Sequence, residues 1–167
     1  MALLPIRLWP DPVLRAPASP VEAFDDDLAR LVDDMVTTMY SAPGVGLAAP
    51  QVGVGKRLAV VDISVGREQG KVRVLINPRI LEKSGSQIDT EGCLSIPDFT
   101  ERVERPERVL LEAQNLQGET FQIEAEGFEA RAFCHELDHL DGVLFVDHLR
   151  GLRRDKARRF LKRMTEG

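Results

Sequence analysis

The chain has 167 residues, 43% of them hydrophobic and 29% charged. That length suits one domain, and that composition excludes a wholly disordered, collagenous or low-complexity protein. The formal net charge of −5 argues against a surface that coats nucleic acid, but the charge is uneven: residues 150–167 carry eight Lys or Arg against two Asp or Glu, while the first 149 carry 14 against 25.

Met1 to Arg7 is broken by Pro5 and Arg7 too early for a signal-peptide core, and no run approaches the ~18 apolar residues of a membrane span. With two cysteines, Cys93 and Cys134, there is no disulfide framework, and a reducing cytoplasm is the expected compartment. Pro5, Pro10, Pro12, Pro17 and Pro20 predict that residues 1–20 form an extended arm.

The first helix is predicted where Leu28, Leu31, Val32, Met35, Val36 and Met39 recur at three- and four-residue spacing. Asp25, Asp26 and Asp27 suit the positive end of its dipole, and it should stop near Pro43-Gly44. Residues 44–55 are small, glycine-rich and apolar. Runs rich in Val, Ile, Leu and Phe at Arg57–Ser64, Val72–Asn77, Arg108–Gln114 and Thr120–Glu126 read as strands, with a hairpin connection at Gly66–Lys71. A second helix should follow Gly127 and reach about Leu140, with Gly142 at its end. A third, over roughly 151–164, offers Leu152, Phe160, Leu161 and Met164 as inner residues. Helix, strands, helix, helix is an α+β order in a single domain over 1–167, ending in a basic C-terminal helix at 151–167.

The strongest chemical signal is His135-Glu136-Leu137-Asp138-His139. Histidines four apart share one helical face, so both imidazoles can reach one metal ion, and the intervening Glu136 lies beside a water that such an ion would acidify. A catalytic site of this kind takes three protein ligands. A histidine six residues past His139 would be one solution, but that position is Phe145, and His148 has no matching spacing and reads as a surface or core histidine. Cys93, in Glu91-Gly92-Cys93-Leu94-Ser95, is the better third ligand: a thiolate binds divalent ions strongly, and Gly92 lets backbone approach the site closely. Cys134 would point about 100° away from its neighbour His135 and reads as a small buried hydrophobe.

Three segments together resemble the peptide deformylases of the bacterial type, which remove the formyl group from the starting methionine of nascent chains. They are Gly44-Val45-Gly46-Leu47-Ala48-Ala49-Pro50-Gln51, Glu91 to Ser95, and His135 to His139, in the family's order. The resemblance implies mostly antiparallel β-sheets packed around a central helix that carries the two histidines, flanked by N- and C-terminal helices. It implies one divalent metal on Cys93, His135 and His139, ferrous iron (Fe2+) in the cell, with Zn2+, Ni2+ or Co2+ compatible with the donors. It implies Glu136 as general base and then acid, and Gln51 and the Leu94 backbone N–H as donors to the developing oxyanion. Substrate contacts are expected at Val45, Gly46 and Gly92, with Val45, Leu94 and Phe128 around the methionine side chain, although Phe128 also reads as core. Asp138 is expected to orient the site through a cation such as Arg105. The basic C-terminal helix is expected to touch ribosomal RNA near the tunnel exit, or else merely to balance an acidic body. Two positions depart from the family's pattern: Cys134 stands where a glutamine often precedes the first histidine, and Thr100 where some members carry an arginine that Arg102 would replace. The alternatives are a metallopeptidase and a non-catalytic metal-binding homologue held at the ribosome.

Overall fold

A computed structural model describes residues 2–166. In chain order the described elements are helix α1 (Asp26–Ser41), strands β1 (Gly46–Ala48), β2 (Leu58–Val61), β3 (Arg73–Ser84), β4 (Gln87–Cys93), β5 (Ile96–Arg105), β6 (Arg108–Gln114) and β7 (Thr120–Glu126), then helices α2 (Gly127–Leu140) and α3 (Gly151–Glu166). Short 3-10 turns occupy Pro12–Arg15, Ala49–Val52 and Phe145–His148. The fold is α+β, as the element order implied.

Five strands form one antiparallel sheet in the order β1-β2-β3-β6-β7, and β4 and β5 form a separate antiparallel pair. Strand β2 is buried on both faces, because alternate residues serve two helices. Leu58 and Val60 pack with Leu28, Val32, Met35 and Met39 of α1. Val61 packs with Leu75, Val109 and Leu111 and with Phe133 and Leu137 of α2. A third cluster joins Ile96, Phe99 and Val103 of β5 to Phe145, Leu149 and Ala157, with Phe160 of α3 5.0 Å from the Phe99 ring.

Helix α1 begins where the Asp25 side chain accepts from the Leu28 N–H, and the chain leaves it through Pro43 and Gly44. The arm is non-helical apart from its 3-10 turn, and it docks on the end of α2: Ala18 N–H donates to the Leu140 carbonyl at 2.9 Å. There Gly142 adopts φ +75°, and a Cβ on it would stand 2.5 Å from the Arg15 carbonyl oxygen, so glycine is required twice over.

Three sequence expectations change. The strand predicted over Val72–Asn77 ends before Pro78, yet β3 continues to Ser84; the register shifts between Ile76 and Arg79, and the proline sits in that irregularity. Strands β1, β4 and β5 were not foreseen. Leu152, expected to face inward, is 86% exposed; Ala157 is the fully buried residue of α3, with Phe160, Leu161 and Met164 partly buried.

Candidate metal centre and active-site cleft

Helix α2 is buried along most of its length because sheet, arm and the β4–β5 pair all pack on it. His135 and His139 lie one turn apart on it, their rings 4.8 Å apart. Cys93 ends β4, just past a register shift between Gly92 and Cys93 that turns the strand toward the helix. The Cys93 Sγ lies 3.3 Å from His139 Nε2, which is 3.1 Å from His135 Nε2. All three ligand atoms fall within 4.8 Å of one another. A tetrahedral ion with bonds of about 2.0–2.3 Å separates its ligand atoms by about 3.3–3.6 Å, so the trio fits one divalent cation. Both cysteines are free, and Cys134 is buried on its own, its thiol pushed up to about 11 by desolvation.

Glu91 fixes the first imidazole. Its Oε1 accepts from His135 Nδ1 at 2.6 Å, which leaves Nε2 free to ligate. Burial works against its charge, but hydrogen bonds from His135 and Arg105 hold the Glu91 carboxyl well below the usual range. Without a cation, burial also opposes charge on both histidines. Contacts with Cys93 and Glu91 outweigh it at His135 and hold that imidazole well above its ordinary value, whereas burial and the neighbouring His135 hold His139 well below.

Glu136 is buried beside the trio, its carboxyl pushed up to about 7 by desolvation, and its Oε1 has no hydrogen-bond partner among the described residues. A carboxyl in that range exchanges a proton readily near neutrality, and a bound dication would draw it toward ionisation. Gly46 gives it room: a Cβ there would lie 2.8 Å from the Glu136 Cδ and overlap Oε2. Gln51 is 1% exposed and its amide is oriented at both ends, Oε1 accepting from the Ala48 N–H at 3.0 Å and Nε2 donating to Ser95 Oγ at 3.1 Å, 3.6 Å from Cys93 Sγ.

These groups open into a cleft of about 750 Å³. Val45, Gly46, Gln51, Gly92, Cys93, Leu94, Phe128, His135 and Glu136 all line it, and His139 lies behind them. Phe128 is half exposed at the cleft and takes no part in the buried clusters. Thr100 lines the cleft; Arg102, on the same strand, does not. His148 is no ligand but meets Asp138 at 2.8 Å. Asp138 does bind Arg105, as expected, at 2.6 Å. Glu91, Arg105 and Arg131 form a buried ion cluster; the sequence reading expects Arg105 beside Asp138 but gives no role to Arg131 or to the Glu91 carboxylate. Two signals were available for it: Glu91 stands inside the cysteine motif, and Arg131 precedes His135 by one helical turn.

The family model for polypeptide deformylase matches residues 3–155. A peptide deformylase of Acidobacterium capsulatum is 50% identical over 164 residues, covering 98% of this chain and 96% of the relative, and peptide deformylase 1 of Clostridium acetobutylicum is 56% identical over 149 residues, covering 89% and 96%. The crystal structure of a peptide deformylase from Legionella pneumophila superposes with a TM-score of 0.90 at 44% identity, covering 99% of this chain and 96% of that one. That of the Synechococcus elongatus enzyme in complex with actinonin gives 0.88 at 45% identity, covering 92% and 85%. On the match of model, sequence and fold along nearly its whole length, the chain belongs to the peptide deformylase family.

Proposed function

We propose that the protein hydrolyses the formamide at the start of N-formyl-methionyl nascent peptides, yielding formate and a free α-amine. The observation that carries this reading is the convergence of Cys93, His135 and His139 beside a buried carboxyl, one oxygen of which has no partner among the described residues, and an oriented amide, at the floor of one cleft with His139 just behind it. Cys93, His135 and His139 would hold a divalent ion, which would supply Lewis acidity to a water and to the formyl oxygen. Ferrous iron is the proposed resident in the cell; the same thiolate and imidazole donors take Zn2+, Ni2+ and Co2+.

Glu136 takes a proton from the attacking water and returns it to the leaving nitrogen. Gln51 Nε2, turning one N–H from the Cys93 sulfur while its Oε1 stays anchored on the Ala48 N–H, and the Leu94 backbone N–H donate to the formyl oxygen as charge gathers there. Among the described residues strand β1 pairs only with β2 and β4 only with β5, and Val45-Gly46 and Thr90–Gly92, at or beside these edge strands, line the cleft. An extended peptide can hydrogen-bond to them as an added strand, with its first side chain against Val45, Leu94 and Phe128.

The site of action is the cytoplasm, and α3 touches ribosomal RNA near the tunnel exit. Among the described residues Arg150, Arg154, Arg158, Arg159 and Arg163 are in no ion pair, whereas Arg153 and Lys156 lean on Glu101. No helix among the described residues is long and apolar enough to cross a membrane. Replacing Arg154 and Arg158 together with Glu should weaken co-sedimentation with ribosomes, in the salt-sensitive way of phosphate contacts; unchanged co-sedimentation refutes the contact.

The test of the reaction is formate release from formyl-Met-Ala-Ser by anaerobically prepared protein. Release that disappears in Glu136→Ala while metal content stays equal supports it. Cleavage of the peptide without formate, or no turnover by metal-loaded protein, overturns it.

A further inference from the structure

We infer that Asp138 and His148, neither of which lines the cleft, are positioning residues for His135 and set how firmly the site holds its metal. This rests on His135 being a ligand, as proposed above. The connection runs through ion pairs and hydrogen bonds at every step. Glu91 Oε1 accepts from His135 Nδ1 at 2.6 Å and from Arg105 Nη2 at 2.5 Å. Its Oε2 accepts from Arg105 Nε at 3.1 Å and from Arg131 Nη1 at 2.8 Å. The carboxylate is therefore held on both oxygens, and where it sits decides where the imidazole sits.

Arg105 is held in turn. Its Nη1 donates to Asp138 Oδ2 at 2.6 Å, and the same oxygen takes His148 Nε2 at 2.8 Å. Two guanidiniums and two carboxylates balance across this group, and the Arg105 side chain is only 4% exposed. Removing the Asp138 charge leaves a buried guanidinium without its second anion, which pulls Arg105 away from its fork on Glu91. His148 closes the outer end, its side chain 39% exposed. Asp138, His148 and Arg105 line a rear cavity of about 460 Å³ that shares no lining residue with the substrate cleft. A change at this outer end therefore reaches the metal without altering any surface that meets the peptide.

The experiment uses the full chain loaded anaerobically with Co2+, comparing wild type with Asp138→Asn, His148→Ala, Glu91→Gln and the Glu91→Gln/Asp138→Asn double variant. Cobalt transfer to a chelator and the visible absorption of the bound ion are read together, with circular dichroism as the check on folding. In Asp138→Asn cobalt should leave about 10–100-fold faster and the absorption bands should shift, the scale typical for losing an outer hydrogen-bond partner of a ligand. His148→Ala should move both readings the same way by a smaller factor. The double variant should lose cobalt no faster than Glu91→Gln alone, because both residues act along one path. Rates within twofold of wild type with unchanged spectra, or additive effects in the double variant, overturn the inference. If Asp138→Asn does not fold, His148→Ala decides. A wild-type chain that binds no cobalt overturns the metal reading itself and is distinct from either result.

Discussion

A methyl group at position 46 would overlap the carboxylate of Glu136, the general base proposed above, so the glycine in the first motif is what leaves that carboxylate its room. Gly46→Ala should lower kcat by about 10²-fold through a displaced carboxylate while metal content stays at the wild-type level. Metal analysis beside steady-state kinetics checks this; an unchanged kcat contradicts it. Glu136→Gln keeps the shape and removes the proton carrier, and its kcat should fall by about 10²–10⁴-fold with metal retained. At this scale the pairing of His135 and His139 on one face, with Glu136 between them in sequence, was legible, because i, i+4 spacing on a helix is a local geometric fact. The ion cluster behind them was not. Glu91 meets Arg105, 14 residues on, and Arg131, 40 residues on, and no periodicity announces pairs that only the folded chain brings together.

Among the elements, the helices were legible from their apolar spacing, and β6 and β7 from dense branched and aromatic residues. Strand β4 reads Gln-Ile-Asp-Thr-Glu-Gly-Cys: its inward side chain is the ion-paired Glu91, so it carries no apolar alternation. Strand β1 is three small or aliphatic residues in a glycine-rich stretch, buried because β2 and α2 enclose it. In α3, Leu152 lies in the first turn, before the helix meets the Phe99 cluster, and Leu152→Ser should change stability by less than about 0.5 kcal/mol. Phe133→Ala, in the fully buried face of α2, should cost about 3–5 kcal/mol in denaturant titrations. The turn between β2 and β3 depends on Asp62, which accepts from Tyr40 Oη at 2.5 Å and from the Ser64 hydroxyl and the Ser64 and Gly66 N–H groups. Burial opposes its charge, but these bonds outweigh it and hold the Asp62 carboxyl below its ordinary value. With the folded pKa below the unfolded one, the stabilisation is fully present above about pH 4 and is lost as the pH falls through the folded value. Asp62→Asn should cost about 1–3 kcal/mol at neutral pH and flatten that part of the acid-unfolding curve; a curve parallel to wild type contradicts it.

The molecule as a whole closes its candidate site from three sides: β4 supplies the thiol, α2 the imidazoles and the Glu136 carboxyl, and the segment after α1 the amide. A metal that binds only when all three are assembled is linked to folding, so an excess of metal at 100–1,000 times its dissociation constant adds about 3–4 kcal/mol. Chelation should accordingly lower the melting temperature by about 5–15 °C, read by calorimetry with and without the chelator. The uneven charge, acidic over the body and basic along α3, was legible from composition, but which cations stay free of acidic partners follows only from where Glu101 stands.

Anomalous diffraction from anaerobically grown crystals, recorded above and below the absorption edge of the resident metal, tests the centre of this account most directly. One peak is expected within about 2.0–2.4 Å of Cys93 Sγ, His135 Nε2 and His139 Nε2 together. A peak bound elsewhere, or one that lacks the Cys93 sulfur, would contradict it.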